Sequence, residues 1–203
     1  MSAFLGPIHS WLYNKILLQE TMIETIVTLA EKNGWAKGLR ENMASRYGTL
    51  ESGNLEDIIQ TDNIHGWLQE RVSLVENRLA YAVTTLLEED QSRFLELAQA
   101  VNALGKSKGV DQEITAREAY DHLENTLLNG MPCDRVNQLV KEEPECLSYR
   151  QVVEIHGPYW DILHGDVNHY YELRNSFIQG MLLGSDVEFH QTEKNEYELR
   201  RRL

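Results

Sequence analysis

At 203 residues, with 42% apolar and 25% charged side chains, the chain has the size and composition of one globular domain able to bury a full core without disulfide or metal staples. Its 32 acidic and 19 basic residues leave a formal charge of −13, which repels phosphate backbones and argues against nucleic acid as a partner. No run approaches the roughly 20 apolar residues of a membrane span, and the first residues carry neither the basic region nor the apolar stretch of a signal peptide. The two cysteines, Cys133 and Cys146, fit no CxxC or zinc-ligand spacing and read as plain thiols of a reducing compartment, so the expected location is the cytoplasm.

Residues 7–32 predict a long helix. Pro7 suits its first position, Ile8, Leu12, Ile16, Ile23, Ile26 and Ala30 recur at helical spacing, and Asn33-Gly34 ends it. A second, less regular helix is expected over 35–47, closed by Gly48. Asp62 or Asn63 caps a third, running to about Glu89, with Ile64, Leu68, Val72, Val75, Leu79, Ala82, Val83 and Leu86 on its core face. A fourth is expected over 91–104, ending at Gly105.

The first and third helices are copies. Ile8-His9-Ser10-Trp11-Leu12 returns as Ile64-His65-Gly66-Trp67-Leu68, and the match extends to Leu18/Leu74, Glu20/Glu76, Val27/Val83 and Thr28/Thr84. Two tandem helical hairpins make a four-helix unit over residues 1–110 the economical expectation. Helices are also read over 113–129, 133–142, 148–156 and 167–183, packed on the same bundle as a C-terminal region (111–183). A polar tail, 184–203, is read as loose helix or without order. The expected fold is thus an all-α bundle in one domain: two related hairpins plus a C-terminal helical region.

Duplication places a histidine twice in a first helical turn, at His9 and His65. His169 sits similarly, three residues after Asp166. The partial positive charge of a helix N-terminus favours neutral imidazole, the metal-binding form. If helices 1 and 3 run parallel, His9 and His65 emerge at one end; a parallel last helix would add His169, with His156 as the other candidate third ligand, around a divalent zinc, iron or nickel ion with an open position. The equivalent glutamates Glu20 and Glu76 lie about 16 Å further along their helices, too far to share that ion. They read as exposed helix residues, as a carboxylate pair facing each other deeper in the bundle, or as partners of Lys15, Arg71 or Arg78.

Aromatic residues accompany the histidines: Trp11, Trp67 and Tyr171 each follow one by two positions. The segment 154–174 is the richest in unusual side chains, with Tyr159 and Trp160 just after Gly157-Pro158 and Tyr171 and Arg174 in the last helix. These six residues are the candidate ligand contacts, although Trp11 and Trp67 at helical spacing equally suit a core. No HExxH, GxGxxG, P-loop or GxSxG sequence is present, nor the paired ExxH motifs of a di-iron bundle.

Three functions remain in view. The first is a metal- or small-ligand-binding bundle with a histidine site, which as an enzyme would work through metal-bound water. The second is a non-catalytic, chaperone-like assembly module whose acidic surface docks a basic or apolar protein. The third is a carrier of haem or another large cofactor. Oligomeric state is not readable.

Overall fold

In the computed structural model, which describes residues 5–202, helices and strands follow the order α1 (Pro7–Asn33), α2 (Leu39–Tyr47), α3 (Leu55–Ile58), α4 (Ile64–Glu89), α5 (Phe94–Ser107), α6 (Ala116–Thr126), β1 (Asn137–Glu143), β2 (Cys146–Gln151), α7 (Gly157–Asp161), α8 (Asn168–Met181), β3 (Val187–Glu193) and β4 (Glu196–Arg201). Local chemistry sets the helix ends. The Gly6 N–H, unpaired by the helix itself, donates to His9 Nδ1 at 2.9 Å, and Gly34 closes α1 in the left-handed conformation at φ 70°. Asn63 caps α4 by accepting from the Gly66 N–H, and Thr115 with Glu118 forms a capping box on α6.

The duplicated helices α1 and α4 lie side by side and parallel. His9 meets His65 (ring centroids 5.6 Å apart), Tyr13 meets Trp67 (5.7 Å), Gln19 reaches Glu76, and the chain just past α1 meets Glu89 at the far end of α4. Helix α8 starts beside that same C-terminal end of α4: His169 packs on Phe94 at 5.1 Å, and Gly165 abuts Thr84. It then follows α5 in parallel, with Asn102 donating to the Ser176 carbonyl at 2.9 Å. Gly105 and Gly180 stand at this crossing, where a Cβ on either would overlap the facing backbone carbonyl, of Phe177 or Asn102. Gly105 therefore lies within α5 as a packing residue rather than ending the helix.

The all-α expectation is overturned by a four-stranded antiparallel sheet in the order β1-β2-β4-β3. The stretches read as helices over 133–142 and 148–156 contain its first hairpin, and the tail contains its second. The reason is physical. β1 is an edge strand whose residues after Asn137 are all exposed, so it shows no apolar alternation. In β3 and β4 the alternation is confined to Val187/Phe189 and Tyr197/Leu199, two apolar residues per strand. Two-residue loops, Pro144-Glu145 and Lys194-Asn195, join the hairpins, with Asn195 at φ 65°.

One face of the sheet joins the helical core. Leu147, Tyr149, Val187, Phe189, Tyr197 and Leu199 are buried and belong to the same contiguous apolar cluster as Ile16, Ile23, Val75, Leu79, Val101 and Phe177. Rings run in a row from Phe189 through Tyr197 and Tyr149 to Tyr120 on α6, at centroid spacings of 5.6, 5.3 and 5.1 Å. The sheet therefore floors the space beneath α6 and α8.

Candidate functional site: a buried polar cluster between helices and sheet

On α1, Lys15, Leu18, Gln19 and Met22 fall at i, i+3, i+4 and i+7, a single helical stripe. On α8, Tyr170 and Arg174 share a face at i, i+4. With Leu127 and Leu128 after α6, these two stripes enclose a cavity of about 10 Å³, roughly the space of one water molecule. All of its lining is buried except half-buried Leu18, so the route to solvent passes that side chain.

Behind the cavity lies a closed hydrogen-bonded pair. Glu76 on α4 accepts from Gln19 Nε2 at 2.8 Å, and its other oxygen lies 3.0 Å from His156 Nδ1; Glu76 is 2% and His156 0% exposed. The His156 ring stacks on Tyr170 with centroids 3.7 Å apart. The other ring nitrogen, His156 Nε2, is buried without a hydrogen-bond partner. Burial, reinforced by the Glu76 charge, pushes the Tyr170 hydroxyl well above its ordinary pKa, so it remains a donor, to the Leu128 carbonyl at 3.3 Å.

A second chain of hydrogen bonds fixes Arg174. Its Nη1 donates to Gln151 Oε1 at 3.3 Å, Gln151 Nε2 donates to Tyr171 at 2.7 Å, and Tyr171 donates to Glu154 at 2.8 Å. Glu154 also accepts the N–H groups of His156 and Gly157, tying this chain to the first. The guanidinium lies over the rings of Tyr197 (4.6 Å) and Tyr171 (5.0 Å), so β4 and α8 hold it from two sides. Burial raises the Tyr171 pKa, as does its bond to Glu154.

Lys15 is 4% exposed and sits over the Trp11 ring, 3.6 Å from its centroid; Trp11 is itself fixed by donating to Asn125 at 2.8 Å. Burial lowers the Lys15 pKa to about 8, against the opposing influence of the Glu124 carboxylate. Among the described residues neither Lys15 nor Arg174 forms an ion pair, although other buried or part-buried cations do: Arg78 pairs bidentately with Glu20, and Arg71 with Glu51. Arg174 Nε is buried without a partner.

The candidate residues fall at separate places. His9 and His65 are neighbours at the exposed start of the α1–α4 pair, but His9 Nδ1 is occupied by its own helix cap. His169 lies between Phe94 and Trp160, beyond Thr84, roughly 28 Å along α4 from His65 at 1.5 Å per residue. His156 is in the interior with Glu76. The structure thus brings two of the four histidines together, and no group of three or more His, Cys, Asp or Glu among the described residues is arranged to hold a metal. Trp67 is core, with Arg71 over its ring; Tyr159 bonds Ser73 at 3.1 Å; Trp160 is fully buried. Trp11, Tyr171 and Arg174 belong to the cluster around the cavity.

The sequence does not single out Lys15, Gln19, Gln151 or Tyr170 as site residues, and it presents Glu76 as exposed, as facing Glu20 in a carboxylate pair, or as a partner of Lys15, Arg71 or Arg78. A signal was present for two of them. Glu76 falls between Val72 and Leu79 on the core stripe of α4, and Lys15 between Leu12 and Gln19 on that of α1; a polar residue inside such a stripe is either paired or functional. No known protein family, curated protein or solved structure matches the chain.

Proposed function

We propose that the protein binds a small anionic molecule, a carboxylate in the first instance, in the cavity between α1, residues 127–128 and α8. The observation that carries this is the convergence of two buried cations, Lys15 and Arg174, on one cavity with no ion-pair partner among the described residues. A buried charge without a partner costs several kcal/mol, and an anion entering the cavity would offset that cost at both groups. The planar guanidinium suits a carboxylate, and its unpartnered Nε–H is a free donor. Entry requires Leu18 and Met22 to turn aside; the unbranched Met22 side chain makes this a change of rotamer rather than of backbone. Calorimetric titration with acetate tests it: saturable binding to the wild type, lost in Arg174→Gln and Lys15→Met, is expected, and equal binding by all three proteins would refute it. The two unpaired cysteines, Cys133 and Cys146, fit a reducing compartment, and we place the protein in the cytoplasm on that ground.

One observation favours a second reading, a divalent transition-metal ion at His9 and His65, whose rings lie 5.6 Å apart. His9 would have to release the Gly6 N–H and His65 would supply the other nitrogen, water completing the shell. Zinc or nickel binding that disappears in His65→Ala supports this reading; binding unaffected by that change refutes it.

A further inference from the structure

Arg174 accounts for an anionic group, whereas Lys15 in the same cavity offers a chemistry of its own. Its amine makes no hydrogen bond among the described residues, is almost wholly buried, and is held over an indole ring that is itself pinned by Asn125. Gln19, Tyr170 and Arg174 share the lining. An amine without a hydrogen bond or ion pair, on a largely buried side chain that lines the same cavity as a cation able to orient a carboxylate, is equipped to attack a carbonyl carbon.

We propose that Lys15 forms a covalent iminium with a small 2-oxo acid, whose carboxylate is held by Arg174. This deepens the anion-binding reading and rests on it. The Lys15 ammonium releases a proton to solvent, and the nitrogen lone pair attacks the carbonyl carbon. The carbonyl oxygen takes a proton from nitrogen to give the carbinolamine. That hydroxyl then regains a proton from solvent and departs as water while the C=N bond forms. Ammonium and carbonyl thus become iminium and water, with charge and atoms balanced and no redox partner needed.

The geometry makes the reaction site-selective. The other lysines, Lys32, Lys37, Lys106, Lys108, Lys141 and Lys194, are all exposed. Because burial lowers its pKa, Lys15 at neutral pH carries on the order of a hundredfold more free amine than an ordinary exposed lysine.

The experiment treats the full-length protein with glyoxylate and cyanoborohydride at neutral pH and maps the reduced adduct by peptide mass spectrometry. Acetaldehyde serves as a carbonyl without a carboxylate, and acetate as a carboxylate without a carbonyl. Lys15 should be labelled on the order of a hundredfold faster than Lys32 or Lys141, in proportion to its free amine; excess acetate should slow it, and acetaldehyde should show a weaker preference for Lys15. Labelling spread over the exposed lysines with Lys15 slowest overturns the proposal, as does equal selectivity from acetaldehyde. If acetate binds in calorimetry while Lys15 stays unlabelled, the iminium is refuted and the anion site stands; if acetate does not bind either, both fall.

Discussion

The pair Glu76–His156 sets up a double-mutant cycle whose outcome follows from burial. Glu76→Leu removes the acceptor of both His156 Nδ1 and Gln19 Nε2, two buried groups that have no water to turn to. Breaking a buried pair from one side costs about 3–5 kcal/mol. His156→Phe leaves the Glu76 carboxylate buried with one hydrogen bond and costs a similar amount, although the phenyl ring can keep the stack on Tyr170. In the double variant only Gln19 Nε2 loses its partner, so the expected cost is about 1–3 kcal/mol. The coupling energy is then about 3 kcal/mol or more in favour of the double variant. For a chain of this length each kcal/mol shifts Tm by about 2–4 °C, which puts the single variants roughly 6–20 °C below wild type and the double variant well above both. Urea titrations with sucrose present keep every corner of the cycle folded. Single costs that add to within about 0.5 kcal/mol would show that the two side chains do not share an enclosed site.

Three further outcomes follow from named contacts. Lys15→Met should stabilise the protein at pH 7 by up to about 3 kcal/mol, because the folded pKa lies near 8 against an ordinary value of 10.5. The sign is that of a depressed cation: the native-state penalty is complete below pH 8 and fades as pH rises towards 10.5, so the gap between variant and wild type should close over that window, and a gap that stays constant would refute desolvation of Lys15. Gly180→Ala puts a methyl group against the Asn102 carbonyl at the α5–α8 crossing and should cost about 1–3 kcal/mol or more by thermal unfolding; an unchanged Tm would mean the helices are further apart. At the β3–β4 turn, where Asn195 has φ 65°, Asn195→Val should cost about 1–2 kcal/mol while Asn195→Gly is close to neutral, and equal stability of the two would argue against the left-handed turn.

The helices were legible where apolar periodicity was long. The repeated Ile-His-x-Trp-Leu segment marks the starts of α1 and α4, and an Asn63 cap and the Gly34 stop lie where their chemistry puts them. The sheet was not legible, because each strand meets the core through two or three side chains and β1 through hardly any, so helix-forming Gln138, Leu139, Lys141 and Glu142 outweighed any strand pattern there. That omission hid part of the site as well. Gln151 is the last residue of β2, and Tyr197 lies on β4 beneath Arg174; with those segments read as helix and tail, nothing in the sequence set them against α8.

Duplication explains why the polar residues of α1 and α4 are not equivalent in use. Two parallel copies can meet through the same face, as His9 and His65 do, but the contact drifts out of register further along the pair. The contacts accordingly step by a residue or two: Gln19, not Glu20, meets Glu76, and Glu20 meets Arg78. Glu20 is thereby neutralised by a bidentate guanidinium, while Glu76 is left to an amide and an imidazole. Lys15 forms no ion pair among the described residues, whereas its counterpart on α4, Arg71, pairs with Glu51 and Glu70. The Lys15 amine on α1 and the Arg174 guanidinium on α8 thus line one cavity without ion-pair partners among the described residues. An anion supplied from outside is the simplest group that completes it.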